Sequence, residues 1–195
     1  RDHWSSLSGD FLKVDFDRFE PQPGTFRTSL RHLRLEGSTG PAVAIGAPSP
    51  KRADPSRPLP PLDPDIAAES LDIEFKRRSE DRADVDPTLV VARGTSGEGK
   101  GKQLVTVADD KVQLTTMNLV AELRPDSNGK IAVGDLVAEG QPRVERNDGV
   151  WAAADKLVAS GADRWADLTA EDPTESPVAL GLTDRSIIRG PQVHL

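Results

Sequence analysis

Apolar and polar residues alternate along most of this chain, which is the period of a β-strand with one buried face. Near the N-terminus, residues 11–19 are apolar at positions 12, 14 and 16, and the alternation returns over residues 26–36. Proline and glycine at 21–24 supply a turn between the two runs. We therefore expect residues 1–40 to form an N-terminal β-hairpin of the same sheet as the later strands, with residues 11–19 half buried.

The same criteria predict further strands beyond residue 65. They are expected at residues 66–75, 88–92, 103–108, 112–123, 130–138, 143–146, 150–159, 178–182 and 186–195. Asn, Asp and Gly at 125–129 and 147–149 favour tight hairpins, because these residues accept positive φ. Within 112–123, the apolar residues fall on even-numbered positions in the first half and mostly on odd-numbered positions in the second. This change predicts a bulge near Thr115 and Thr116. Residues 151–159 also have high helix propensity, but an internal repeat favours a strand there.

Residues 41–64 interrupt this pattern with eight prolines in 24 positions. Proline cannot donate to a sheet ladder, so we expect a proline-rich flexible loop that the fold does not require. The chain thus divides into the hairpin at 1–40, the loop at 41–64 and a β-repeat region at 65–195.

The repeat consists of three similar segments, residues 68–73, 116–121 and 154–159, which align on leucines 71, 119 and 157. Each is followed by a turn and a closing strand that ends in glycine, at 89–94, 136–140 and 187–190, and residues 33–37 resemble an earlier copy. In this alignment the third copy carries an insertion around 165–168. A two-stranded unit cannot bury its apolar face alone, so the copies are expected to stack. The closing glycines are expected at bends.

Composition narrows the functional classes. The chain has 36% hydrophobic and 29% charged residues, which indicates an elongated body rather than a compact sphere. A net charge of −7 without a basic cluster argues against nucleic acid as a partner. The absence of cysteine excludes disulfides and zinc–thiolate sites. No apolar run is long enough to span a membrane. Because the sequence begins at Arg1 rather than Met, we expect a piece of a longer precursor with a targeting or anchoring segment upstream.

The sequence does not favour catalysis. Residues 94–101 approach a phosphate-binding loop, but glycine replaces the Mg²⁺-binding hydroxyl, and a strand rather than a helix is expected to follow. The three histidines are far apart, and the carboxylates between 163 and 175 form no calcium-loop motif. We expect no enzyme activity, no cofactor and no metal.

One segment of the repeat region resembles a known family. Residues 138–159 are similar to the OstA-like repeat of the lipopolysaccharide-transport proteins LptA, LptC and the N-terminal domain of LptD. The matching positions are Ala138, Gly140, Val144, Asp148, Gly149, Ala154, Asp155 and Leu157. The resemblance covers roughly residues 65–195. It implies an elongated, open β-jellyroll, a folded antiparallel sheet of repeated strand pairs. It also implies a periplasmic protein of the cell envelope, in outer-membrane biogenesis, whose apolar interior carries lipid acyl chains.

Two functions remain open at this point. The first is a lipid- or lipopolysaccharide-binding bridge, whose groove candidates are Val112, Leu114, Leu119, Ala121, Leu123, Ile131, Val133, Val137, Val144 and Leu157. The second is a structural β-repeat scaffold without a ligand, in which the same residues form a closed core. For the bridge, the terminal strands at 11–19 and 186–195 are expected at sheet edges. There they would contact neighbouring β-jellyroll domains head to tail by edge-strand addition.

Overall fold

The computed structural model describes residues 6–37, 42–45, 65–95, 104–108, 111–125, 131–161 and 163–195. Every regular element within these ranges is a β-strand. In this part of the chain, no helix is long and apolar enough to cross a membrane. The expected all-β class is confirmed.

The described residues form eighteen strands. In chain order they are β1 (Ser6–Ser8), β2 (Phe11–Gln22), β3 (Thr25–Glu36), β4 (Ala42–Ile45), β5 (Asp65–Ala68), β6 (Ser70–Arg77), β7 (Val85–Arg93), β8 (Val105–Ala108), β9 (Val112–Thr116), β10 (Asn118–Pro125), β11 (Ile131–Glu139), β12 (Arg143–Arg146), β13 (Trp151–Ala153), β14 (Lys156–Ser160), β15 (Trp165–Thr169), β16 (Val178–Gly181), β17 (Ile187–Gly190) and β18 (Gln192–His194).

Two nine-stranded antiparallel sheets result. Sheet 1 has the order β1-β4-β5-β8-β9-β12-β13-β16-β17, and sheet 2 has the order β2-β3-β6-β7-β10-β11-β14-β15-β18. The chain alternates between them, making a hairpin in one sheet, crossing a corner and making the next hairpin in the other. The corners in the described part of the chain lie on the same side, so the sheets meet along one line, the fold line, and are not closed into a barrel. Nine strands at about 4.8 Å spacing make a stack about 38 Å long, which is the expected open, elongated form.

Main-chain hydrogen bonds hold successive corners together. Gly37 N–H donates to Glu69 O at 2.8 Å, and Glu69 N–H donates to Arg93 O at 2.9 Å. The series continues with Gly94 to Met117 at 2.7 Å, Gly140 to Asp155 at 3.2 Å, Asp155 to Thr169 at 3.1 Å and Ala170 to Pro191 at 3.1 Å. The corners therefore form a hydrogen-bonded ladder that satisfies polar groups which would otherwise be costly to bury beside the core.

The core lies between the sheets, against the fold line. On sheet 2 it consists of a row of cross-strand neighbours, the fold-line row, formed by Leu35, Leu71, Ala92, Leu119, Ala138, Leu157 and Leu168. All seven are buried. Sheet 1 faces them with the smaller buried residues Ala68, Val105, Thr116 and Val178, and Ala154, at the corner after β13, is buried as well. Thr116 is fully buried, and its hydroxyl lies 2.7 Å from the carbonyl oxygen of Glu139, so this polar atom is satisfied.

Several long predicted strands are each two strands with a corner between them. Residues 66–75, 112–123, 150–159 and 186–195 are divided at or near Glu69, Met117, Asp155 and Pro191. The bulge expected near Thr115 is therefore wrong, because the parity change there is a change of sheet. The helix-prone segment 151–159 is β-structure, as expected.

The N-terminal hairpin forms between β2 and β3, and it joins sheet 2 through β6. The expected half-burial of residues 11–19 is wrong, since Leu12 is 55% and Phe16 63% exposed. As the outermost strand of its sheet, β2 has a neighbour on one side only. Residues 42–45, expected in the proline-rich loop, form β4, which pairs with both β1 and β5. Residues 46–64 lie outside the described part of the chain.

The repeat is present, but the alignment of its third copy is wrong. The strand that closes the third unit of sheet 2 is β15, which lies inside the predicted insertion, whereas residues 187–190 form β17 of sheet 1. Gly140 does occupy a bend, with φ +81 and with Met117 Cβ only 2.6 Å from where a side chain would begin. Gly190 has no such constraint, because the nearest atom to an added Cβ would be 3.7 Å away.

Candidate functional site

The groove candidates were expected on the inner surfaces of the two sheets. Nine of the ten candidates do face the space between the sheets. Cross-strand pairs place them there: Leu119 pairs with Ala138, Ala121 with Leu136 and Leu123 with Val133 on sheet 2. On sheet 1, Leu114 pairs with Val144. Because partners in a β-ladder point to the same side, each pair contributes two apolar side chains to the inner surface.

Burial among these nine falls with distance from the fold line. Leu119 is 2%, Ala121 6% and Leu157 7% exposed, and Leu114 on the opposite sheet is 8% exposed. Three of these residues, Leu114, Leu119 and Leu157, belong to the core cluster of the described residues, and Ala121 is also buried. They form a closed interior and have no free surface to offer a ligand.

The other five candidates on the inner face are accessible. Val112, Leu123, Ile131 and Val144 are partly exposed, and Val133 is 43% exposed. These residues lie toward the open side, where the two sheets are not joined. The inner face of the sheets is thus apolar throughout, buried near the fold line and exposed toward the open side. A wedge-shaped groove requires this arrangement.

The tenth candidate, Val137, is on the wrong face. It pairs with Val120 on one side and with Val158 on the other, and Val120 lies between the buried residues Leu119 and Ala121. Val137 therefore belongs to the outer surface. The cause is a register shift opposite Ala121 and Leu123, which gives β11 one extra residue at Gly134 or Asp135. In the part of β11 that precedes this bulge, the odd-numbered residues Ile131 and Val133 therefore point inward, whereas after it the odd-numbered Val137 points outward.

An apolar recess of about 380 Å³ opens near the end of this inner surface. It is lined by Val133, Leu136, Ala159, Ser160, Gly161, Arg164, Trp165, Ala166 and Leu195. Of these, only Val133 was expected from the sequence. Leu136 and Ala159 occupy the second inward row, behind Ala138 and Leu157, and their alternation would have identified them. Ala166 and Trp165 were missed because β15 was taken for an insertion.

The rim of the recess carries one cation. Arg164 lies in the turn between β14 and β15, with φ +57, and is exposed. The turn is fixed by the Gly161 N–H, which donates to Gly134 O at 2.6 Å. Ser160 Oγ lies 3.3 Å from an Asp163 carboxylate oxygen. A guanidinium next to an apolar recess matches the two parts of an anionic amphiphile.

A separate charged cluster occupies the outer face near β2. His32 Nε2 lies 3.1 Å from Asp72, and Nδ1 lies 3.4 Å from Asp15, while Arg93 reaches Asp72 at 3.1 Å. A hydrogen bond from Lys13, followed by His32, lowers the pKa of Asp15. These contacts join β2, β3, β6 and β7 across the sheet. Among the described residues, no group of three or more His, Asp or Glu side chains is arranged to hold a metal ion.

The loop at 94–101 that resembles a phosphate-binding motif lies outside the described residues from position 96 onward. The next described element is β8, a strand, as the sequence indicated.

Comparison with known proteins identifies no relative: no family model, no curated protein and no solved structure matches this chain.

Proposed function

We propose that this protein is a lipid-binding domain of the cell envelope that holds acyl chains in the wedge between its two sheets. The observation that carries the proposal is the burial gradient on the inner surface. Apolar side chains continue from the closed core at Leu119 to Val133, which is 43% exposed, and to the recess beyond it. The recess is lined by residues of sheet 2 and of the turn between β14 and β15. Exposed apolar surface that is continuous with a core often marks a site of interaction.

The energetics favour a chain-like ligand over a compact one. Each buried methylene contributes about 0.8 kcal/mol, so six methylenes in the recess would contribute about 5 kcal/mol. No directional polar contact is needed for that gain. Arg164 at the rim would add a charge-assisted contact to a phosphate or carboxylate head group, without fixing the position of the chain along the groove.

A bridge in the periplasm is the setting that this chemistry suits best, with lipopolysaccharide acyl chains as the ligand. The described strands 11–22 and 187–194 lie at the edges of the sheets, where main-chain groups are open to a neighbouring β-jellyroll. Edge-strand addition would extend the inner surface from one domain into the next. Membrane attachment through an upstream segment completes this proposal.

The alternative function is a scaffold module without a ligand. One observation favours it: the four deepest candidates, including Leu114 and Leu157, are already buried with almost no exposure. A scaffold needs only this closed interior. The two functions therefore differ in the role of the outer part of the wedge, which is where an experiment has to be made.

A matched pair of valines on neighbouring strands provides that experiment. Val133 faces the wedge and is 43% exposed, whereas Val120 faces outward and is 40% exposed. Binding of a fluorescent fatty acid, and displacement by purified lipopolysaccharide, would be measured for Val133→Asp and Val120→Asp. We expect at least a tenfold loss of affinity for Val133→Asp, because a carboxylate would be buried beside the acyl chain. Val120→Asp should bind as the unchanged protein does.

Two results would overturn the proposal. One is the absence of probe binding to the unchanged protein, together with no acyl chains in organic extracts analysed by mass spectrometry. The other is an equal loss in the two variants, which would place the probe on a non-specific surface. Urea unfolding of both variants controls for loss of folding.

A further inference from the structure

The described sheets have four outermost strands: β1 and β2 at one end of the stack, β17 and β18 at the other. All neighbours within each sheet are antiparallel, and eight antiparallel steps separate the outermost strands of a nine-stranded sheet. The two edges of each sheet therefore run in the same direction. If identical copies stacked head to tail, β18 of one would lie parallel to β2 of the next, interrupting the antiparallel pattern of the whole fold.

A two-fold axis removes this conflict. If the axis runs along the strands, midway between the sheets, β17 of each copy lies beside β18 of the other. β17 runs toward the fold line and β18 runs away from it, so both new pairs are antiparallel. The fold lines of the two copies stay on the same side, and the wedge continues from one copy into the other.

The main-chain groups of this edge are arranged for such pairing. Ala166 and Leu195 exchange two hydrogen bonds, at 3.0 and 2.9 Å, so β18 turns the N–H and C=O groups of Gln192 and His194 to its free side. Leu182 N–H donates to Ser186 O at 2.9 Å, so the main-chain groups of Ser186, Ile188 and Gly190 point toward β16. Ile187 and Arg189 accordingly present their main-chain groups to the free edge.

The side chains follow the same parity. Ile188 faces inward, paired with Leu180, and is 50% exposed. On β18, Val193 and Leu195 also face inward, and Leu195 is 55% exposed. When the free main-chain groups of Arg189 meet those of His194 or Gln192 in a second copy, Ile188 lies opposite Leu195 or Val193, respectively. The strand registers that pair the free main-chain groups are therefore the same registers that bring these apolar side chains into contact.

The N-terminal edge is less suited to this pairing. β2 has twelve residues and β1 has three, so β1 could cover only a quarter of its partner, whereas β17 and β18 have four and three. In addition, β2 is charged along its length, a feature by which natural edge strands avoid association. Its charged residues are Lys13, Asp15, Asp17, Arg18 and Glu20.

We propose that two copies of this chain associate tail to tail, each β17 pairing antiparallel with β18 of the second copy about a two-fold axis. The dimer makes one wedge of double length. This inference names the partner for the edge-strand addition proposed above and rests on that proposal for its role in lipid transfer. Disulfide formation tests the contact between the two copies, and lipid binding tests the groove. A failure of the dimer can therefore be distinguished from a failure of the proposed lipid-binding function.

Because the chain has no cysteine, single-cysteine variants report the arrangement unambiguously. Ile188→Cys would be mixed, under mild oxidation, with Leu195→Cys or with Val193→Cys carrying a larger tag. Non-hydrogen-bonded antiparallel pairs have Cα atoms about 4.5 Å apart, within the range a disulfide spans. We expect a mixed disulfide in one of these two mixtures and a concentration-dependent dimer in sedimentation equilibrium. Arg189→Pro, which removes a free-edge donor, should abolish the dimer and leave the fold intact.

Leu12→Cys is the matched control, since Leu12 is also inward-facing on an edge strand and 55% exposed. A disulfide between positions 188 and 12 would establish head-to-tail stacking and reject the proposal. Disulfides of 188 with 188, or of 195 with 195, would establish pairing of like strands and also reject it. A chain that stays monomeric at the highest soluble concentration, with no disulfide in any mixture, rejects association altogether.

Discussion

Three glycines, at a corner, in a hairpin turn and at the end of a strand, distinguish two physical reasons for which a fold uses glycine: positive φ and the close approach of another atom. Gly140 has φ +81, and an added Cβ would lie 2.6 Å from Met117 Cβ. Gly149 has φ +88 but no atom within 4 Å of an added Cβ, and Gly190 has neither constraint. Alanine at 149 therefore measures the cost of positive φ, alanine at 140 measures that cost plus the close approach, and alanine at 190 is the reference.

The expected magnitudes follow from these geometries. A non-glycine residue in the left-handed region costs about 1 kcal/mol, so Gly149→Ala should destabilise by about that amount. In Gly140→Ala, the corner must also shift, because Met117 Cβ is fixed to its backbone, and overpacking typically adds about 1–3 kcal/mol. A total of about 3 kcal/mol corresponds to roughly 6–12 °C in the thermal midpoint for a chain of this length. Gly190→Ala should lie within about 0.5 kcal/mol of the unchanged protein.

Urea unfolding with linear extrapolation, followed by tryptophan fluorescence, gives the three free energies of unfolding. The decisive quantity is the difference between Gly140→Ala and Gly149→Ala. If it is zero within error, the close approach of the corner to Met117 has no energetic consequence, and the account of this corner is wrong. If Gly190→Ala is as costly as Gly140→Ala, the space seen around Gly190 does not exist in solution.

Two further predictions concern acid and the proline-rich segment. The pKa of Asp15 is lowered from 3.8, first by its hydrogen bond with Lys13. Its ionised form thus contributes stability above the unfolded-state pKa, and this is lost as pH falls through the folded pKa. Asp15→Asn should therefore cost more stability at pH 7 than in acid, as measured by urea unfolding, and an equal cost at all pH values contradicts this. Replacing residues 46–64 by a short Gly/Ser bridge should leave the thermal midpoint unchanged, because β4 and β5 are antiparallel neighbours whose ends lie together. Deleting residues 41–64 also removes β4 and should lower the thermal midpoint. Equal midpoints for the two deletions would show that β4 is dispensable.

Alternation in the sequence was sufficient to predict the all-β class and the positions of most strands, because periodicity reports directly which face a strand buries. It could not distinguish a bulge from a corner, since both reverse the parity of a strand. At Thr116 the reversal is a change of sheet, whereas in β11 it is a bulge, and only the second moved a candidate, Val137, to the outer face. Residues 11–19 were expected both at a sheet edge and half buried. The edge position is confirmed, but the half-burial is wrong, because alternation within a strand does not show how much neighbouring structure will cover it.

The repeat that the sequence revealed has a geometric origin in the corners. Leucines 71, 119 and 157 each lie two residues after a corner, at Glu69, Met117 and Asp155. Before a corner the same spacing holds: Leu35, Ala92, Ala138 and Leu168 lie two residues ahead of positions 37, 94, 140 and 170. This constant spacing places every one of them in the fold-line row.

The far hairpin turns carry no such constraint, so their lengths vary, and an alignment that expects a constant repeat length fails at the third unit. That unit is in fact the shortest of the three. A residue inserted at a corner would turn the following strand over and expose its apolar face, whereas an insertion in a far turn leaves both faces unchanged. In this fold, therefore, sequence similarity between repeats is concentrated where the chain changes sheet, and those positions, rather than the turns, are where relatives should be aligned.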